Sequence, residues 1–180
     1  MSLEAARKTV FITVGSTGFD DLVRITTSVS FLELVSSLGY TRVLVQYGKS
    51  HSIFNGSVAK DIKASNGQYA KLSKIKVDGY DYKSSLRDDM ENAELIISHA
   101  GSGSILESLR LHKKLIVVVN DALMNNHQNE LAVELSSHRY LLYSSVSDLL
   151  ETLKSRRYEE LVPFPAHNEN LFVNILDEEM

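Results

Sequence analysis

Ser98-His99-Ala100-Gly101-Ser102-Gly103-Ser104-Ile105-Leu106-Glu107 is the stretch whose reading decides the fold. It follows the apolar run Leu95-Ile96-Ile97, and Ile105, Leu106 and Leu109 recur at helical spacing. The order is that of a buried strand, a glycine-rich turn and a helix. Gly101 and Gly103 remove side chains where the backbone turns, which lets a ligand come close to it. The unbonded N–H groups and positive dipole end of the helix would then face that ligand, an arrangement suited to a phosphate. Glu107, one turn into the helix, could accept two hydrogen bonds from a ribose diol. The lysine of a GxxxxGKS or GxxxxGKT loop is missing, and Leu106 rather than glycine stands three residues beyond Gly103. An ATPase P-loop is therefore excluded, and a nicotinamide-binding GxGxxG fingerprint is not favoured. The stretch reads as a nucleotide site.

Working outward, Thr9-Val10-Phe11-Ile12-Thr13-Val14 is a β-branched and aromatic run typical of a strand covered on both faces. It ends in a second small-residue loop, Gly15-Ser16-Thr17-Gly18. A helix starting at Asp20 or Asp21 has Leu22, Ile25, Val29 and Leu32 as its apolar stripe, and Gly39 closes it. Arg42–Gln46 is a further buried strand. Residues 48–70, rich in Ser, Asn, Gly and Lys, read as a loop with one short helix. Ile75–Val77 is a third strand, followed by Gly79-Tyr80-Asp81-Tyr82, and a helix runs from about Ser85 to Asn92. After the helix at 104–111, Leu115–Val119 is the most hydrophobic strand. Asn125-Asn126-His127-Gln128 opens a helix through Leu135, Tyr140–Tyr143 is a last strand, and Ser147 caps a helix to Leu153. Pro163 and Pro165 set off a terminal segment with helical spacing over Asn168–Asp177.

Strands alternating with helices imply an α/β fold: a single Rossmann-like domain with a mostly parallel sheet and helices on both faces. In such folds ligands bind outside the carboxyl ends of the strands, where Gly15–Gly18, Ser98–Gly103 and Asn120–Gln128 all fall. The expected organisation is a donor-binding domain over residues 1–162 and a tail over 163–180.

The chain has 180 residues, 43% of them apolar and 23% charged, enough for one domain with a real core. A formal net charge of −4 argues against bulk binding of nucleic acid. No apolar run approaches the roughly 20 residues that cross a bilayer, and Met1–Lys8 lacks the hydrophobic core of a signal peptide. There is no cysteine, so disulfides and thiolate zinc sites are excluded. The expected compartment is the cytosol.

Taken together, Ile96 through Arg110, Leu115-Ile116-Val117-Val118-Val119-Asn120-Asp121 and Asn125-Asn126-His127-Gln128 carry a family resemblance. The chain resembles the carboxyl-terminal, donor-binding half of GT-B glycosyltransferases. Within them it is most similar to the small cytosolic subunits of the eukaryotic UDP-N-acetylglucosamine transferase of dolichol-linked oligosaccharide synthesis. These are related to the bacterial lipid-linked GlcNAc transferase of peptidoglycan synthesis. The resemblance implies that His99, Ala100, Gly101, Ser102, Gly103 and Ser104 hold the donor pyrophosphate and that Glu107 binds the uridine ribose. It implies donor-sugar contacts from Asn126, His127 and Gln128, with Gly15, Ser16 and Thr17 on the opposite wall. The implied reaction is inverting transfer of GlcNAc from UDP-GlcNAc onto GlcNAc-pyrophosphate-dolichol. The acceptor-binding half of a GT-B enzyme is missing, so the family implies a membrane-anchored partner that completes a heterodimer at the cytosolic face of the endoplasmic reticulum.

Plainer readings stand beside these. Ser104-Ile105-Leu106-Glu107 fits a capping box, and local sequence alone favours it; the resemblance moves the glutamate, though not Ser104, to the ligand. His99 alone reads as a polar residue satisfied at a strand end. It is a candidate base, but the absent half is the more natural source of one. Gly15–Gly18 also fits an ordinary strand-to-helix turn. His112 and His138 lie at no ligand spacing from His127, and Asp88-Asp89 is not an Asp-x-Asp motif, so no metal and no cofactor is expected. Two rival functions are a subunit of a bacterial two-chain polysaccharide transferase and a nucleotide-sugar binding module without turnover.

Overall fold

The computed structural model describes residues 7–63, 75–120 and 126–165. Six strands form one parallel sheet: β1 (Thr9–Thr13), β2 (Arg42–Gln46), β3 (Lys76–Tyr80), β4 (Leu95–His99), β5 (Lys114–Val118) and β6 (Leu142–Ser144). Their order across the sheet is β3-β2-β1-β4-β5-β6. This is the doubly wound Rossmann arrangement expected from the alternating pattern. The chain leaves β1 in one direction across the sheet and β4 in the other, so a crevice opens where these two strands end. Val10 lies opposite Leu95 and Thr13 opposite Ser98, which sets both carboxyl ends level.

The strands read as continuous apolar runs because both faces are covered. Val10, Ile12, Val43, Val45, Leu95, Ile97, Ile116 and Val118 point into one core, under α1 (Asp20–Thr26), α2 (Val29–Ser37), Phe54 of α3 (His51–Lys63) and α7 (Leu149–Ser155). Phe11, Leu44, Ile96, Leu115 and Val117 point into the other, under α4 (Arg87–Glu91), α5 (Ser102–Arg110) and α6 (Asn126–Ser137). Phe11 is fully buried in the centre, and burying such a side chain contributes about 1.5–3 kcal/mol.

Several boundaries differ from the sequence reading, each for a local reason. The single helix expected from Asp20 to Gly39 is two. The Thr26 and Thr27 hydroxyls bond back to the carbonyls of Leu22 and Val23, both at 2.7 Å, and Ser28 Oγ caps α2 by accepting from Phe31 N at 3.3 Å. Three hydroxyl side chains in a row offer the backbone alternatives to helical bonds. Gly39, at φ +90°, does end α2: Tyr40 N bonds to Val35 O and Gly39 N to Ser36 O, a Schellman closure.

Helix α3 is longer than a short helix within a loop, at 13 residues. Its anchor is Phe54, which stacks on Tyr47 at 4.8 Å and fills the space beside Gly79, where a Cβ would lie 2.5 Å from the ring. β3 runs on through Gly79 and Tyr80, which pair with Val45 and Gln46 of β2, instead of stopping at Val77. Strand β6 sits one to two residues later than expected. Ser147 is not the cap of α7: Asp148 is its N-cap residue, and Asp148 N bonds to Ser145 Oγ at 3.1 Å. Phe164 packs edge-on against Tyr140 at 5.2 Å. The expected Asn168–Asp177 helix lies outside the described residues.

Candidate functional site

The crevice between β1 and β4 brings two glycine turns together around one imidazole. His99, the last residue of β4, is held by a 3.3 Å contact between its Nδ1 and the carbonyl of Thr13 at the end of β1. A carbonyl can only accept, so Nδ1 carries the hydrogen and the neutral ring keeps a lone pair on Nε2. Burial holds the imidazole pKa below its ordinary 6.5, against a smaller opposite pull from the Thr13 carbonyl. The ring lies close to both turns. A Cβ on Gly15 would stand 2.7 Å from Nε2, and one on Gly101 would stand 2.3 Å from it. Gly15 also has φ +75°, whereas Gly101 has an ordinary φ of −73°. Gly101 is glycine for space alone.

Past Gly101 the chain enters α5. Gly101 is the N-cap residue, and among the described residues no side chain caps this helix start. The first helical bond is from Ile105 N to Gly101 O, at 3.1 Å. The N–H groups of Ser102, Gly103 and Ser104 therefore have no acceptor within the helix. Around Gly103 an added Cβ would meet none of the described residues within 4 Å, so they leave the backbone there open to an approaching group. Since α5 begins at Ser102, Ser104 is already its third residue and the Ser104–Glu107 capping box does not form. The Glu107 side chain is partly buried, and among the described residues its carboxylate has no hydrogen-bond or ion-pair partner.

The turn after β1 is built differently. Gly15 N donates to Gln46 Oε1 at 3.1 Å, and Gly15 O accepts from Gln46 Nε2 at 3.0 Å. Gly18, at φ +88°, packs on Ser50, whose hydroxyl accepts from Phe19 N at 3.0 Å and donates to Asp20 Oδ1 at 2.6 Å. Ser16 and Thr17 are exposed between these anchors. A hollow lined by Thr17, Gly18, Phe19, Asp20, Lys49 and Asn120 continues from this turn toward the end of β5.

The structure thus brings Gly15, His99 and Gly101 together, and sets Ser102, Gly103, Ser104 and Glu107 on one helix leading away from them. Ala100 is buried behind the turn. The backbone of Asn126, His127 and Gln128 forms the first turn of α6; their side chains are outside the described residues. Sequence reasoning missed Gln46 and Ser50. The signal for Gln46 was a lone amide closing the apolar run Val43-Leu44-Val45 at the ligand edge of the sheet.

The glycosyltransferase family 28 C-terminal domain matches residues 9–174. Among characterised proteins, the chain is 34% identical to the UDP-N-acetylglucosamine transferase subunit ALG13 of Yarrowia lipolytica, over 94% of this chain and 83% of that one. It is 42% identical to the human protein of the same name, over 76% of this chain. The match spans only 11% of the human protein and 10% of the mouse one. An NMR solution structure of ALG13 superposes with a TM-score of 0.72 at 30% identity, covering 96% of each chain. A crystal structure of MurG from Acinetobacter baumannii shares the fold at a TM-score of 0.62 and 14% identity, over 46% of its length. The sheet and helices described above thus share their fold with about half of the MurG chain.

Proposed function

The chain belongs to the ALG13 family of UDP-N-acetylglucosamine transferase subunits and carries the glycosyltransferase family 28 C-terminal domain, and we propose that it binds UDP-GlcNAc for transfer to a lipid-linked acceptor. The observation that carries this reading is the start of α5. Its N–H groups at 102–104 are open, its first turn holds no acid, and Glu107 is uncommitted nearby. The donor pyrophosphate sits on the N–H groups of Ser102, Gly103 and Ser104, the ribose diol bonds to Glu107, and Asn126, His127 and Gln128 face the sugar. Gly15, Ser16 and Thr17 form the opposite wall.

The reaction is a displacement at the anomeric carbon with inversion. The acceptor hydroxyl forms its bond to that carbon as the bond to the UDP oxygen breaks, and a base takes the hydroxyl proton. The charge that grows on UDP is met by oriented N–H groups and the helix dipole, which stabilise the transition state more than the bound donor. We assign the base to the partner and not to His99. The free lone pair of His99 is on Nε2, and that nitrogen is packed between Gly15 and Gly101 on the donor side.

Among the described residues no helix is long and apolar enough to cross a membrane. In this proposal a membrane-anchored subunit supplies the acceptor site and recruits the chain to the cytosolic face of the endoplasmic reticulum, with residues 163–180 as its docking segment. The acceptor is GlcNAc-pyrophosphate-dolichol. The test is transfer from UDP-GlcNAc to a GlcNAc-pyrophosphate lipid, by the chain alone and by the chain with its partner. Transfer only by the pair is the expected result. Turnover by the chain alone contradicts the division of labour, and donor binding without transfer by the pair reduces the chain to a binding module.

A further inference from the structure

Gln46 is 2% exposed, at the carboxyl end of β2. A primary amide offers two N–H donors and two acceptor lone pairs, and here all four are used. Oε1 accepts from Thr13 Oγ1 at 2.7 Å and Gly15 N at 3.1 Å; Nε2 donates to Gly15 O at 3.0 Å and Asp81 O at 2.7 Å. Asp81 O also accepts from Gly48 N at 3.2 Å.

One side chain therefore grips both polar groups of Gly15 and ties that turn to the segment after β3. Gly15 in turn packs against the His99 ring, and Thr13 holds both partners: its hydroxyl bonds to Gln46 and its carbonyl to His99 Nδ1. Gln46, Thr13, Gly15 and His99 close a ring of contacts across β2, β1 and β4.

We propose that Gln46 is a positioning residue of the donor site: it fixes the Gly15 peptides and, through them and Thr13, the imidazole of His99. The inference rests on the donor-site reading above. Gln46 acts through its neighbours, so its loss misplaces His99 without removing any group from the ligand.

The test compares Gln46→Met, close in shape but without the amide, with Thr13→Val, which removes one hydroxyl. Leu153→Ala, a change on the buried face of α7, serves as the control for lost stability. UDP affinity is measured by calorimetry and the His99 ring titration by NMR. For Gln46→Met we expect UDP affinity to fall at least about tenfold, equivalent to about 1.4 kcal/mol, and the His99 titration to move toward its ordinary value. Thr13→Val should move both readouts the same way by less, and Leu153→Ala should move neither. Should Gln46→Met fail to fold, Thr13→Val decides. Folded variants with unchanged affinity and an unchanged His99 titration overturn the proposal. A wild-type chain that does not bind UDP sinks the donor-site reading, while the ring titration still reports whether Gln46 positions His99.

Discussion

The turn after β1 and the turn after β4 are both glycine-rich, both lead into a helix, and both touch His99, yet their polar groups are used in opposite ways. After β1, Gln46 takes the N–H and carbonyl of Gly15, Ser50 takes the N–H of Phe19, and the first turn of α1 carries Asp20 and Asp21. After β4, among the described residues no side chain caps the start of α5, and its first turn holds no acid. An anion at α1 would meet two carboxylates. Each unit of like charge at about 4 Å costs about 1 kcal/mol in water and about 4 kcal/mol at the effective dielectric near a protein surface. At α5 the same anion meets open N–H groups and a helix dipole worth about 0.3–1 kcal/mol in its favour. A glycine turn before a helix is thus not in itself a phosphate seat; what the neighbouring side chains leave unbonded decides it.

The sharpest way to break this contrast is Gly101→Ala. A Cβ there lies 2.3 Å from His99 Nε2, so the ring or the turn must move. Calorimetry should show UDP affinity lost by more than about 100-fold, equivalent to about 2.7 kcal/mol. The double change Gly101→Ala with His99→Ala should recover the accompanying loss of thermal stability. No recovery would mean that the clash is not with the imidazole.

Glu107→Ala comes next. Loss of a charge-assisted contact to the ribose should cost about 1.5–3 kcal/mol, or about 10- to 150-fold in affinity. Since this carboxylate has no partner among the described residues, the melting midpoint should stay in place. A drop in stability as large as the drop in affinity would assign Glu107 to the fold.

Gly103→Ala separates two roles that coincide elsewhere. Nothing stands in the way of the methyl group, so the helix should gain up to about 1 kcal/mol from the better propensity of alanine. If the pyrophosphate lies against this backbone, UDP affinity should fall several-fold in the same variant. A more stable protein with unaltered affinity would move the ligand away from Gly103.

The smallest effect is that of pH on His99. Its folded pKa is lowered, so below about 6.5 the unfolded chain takes up a proton that the folded ring refuses. Stability is then fully present above about pH 6.5 and is lost as pH falls toward the folded value. Denaturation midpoints at about pH 7.5 and about pH 5.5 should differ more for the wild type than for His99→Gln. Equal differences would show the ring to be solvated.

Much of the fold was legible in the sequence because four strands are buried on both faces. Phe11, Leu44, Ile96 and Val117 face one core while their neighbours face the other, so the apolar runs are unbroken. The break between α1 and α2 was not legible from the stripe Leu22, Ile25, Val29 and Leu32, because the apolar face continues while the backbone bonds do not. α3 was underestimated because its sequence is largely polar, and among its described side chains Phe54 packs against Tyr47 and Gly79, with Ile53 beside it on the core.

Within the site, the turn at Ser98–Gly103 announced itself through two glycines between an apolar run and a helical stripe, although Gly101 is small to clear the His99 ring. Gln46 did not, since its four partners come from β1, the β1 turn and the segment after β3. Ser104 looked like a cap because its spacing to Glu107 is right. The helix begins two residues earlier because Gly101, kept small by His99, can itself serve as the N-cap.

The most direct test of the asymmetry between the two turns is amide NMR of the chain titrated with UDP. The account predicts saturable shifts that are largest at Ser102, Gly103 and Ser104 and small at Ser16, Thr17 and Phe19. Shifts centred on Phe19–Asp21, or none at millimolar UDP, would contradict it.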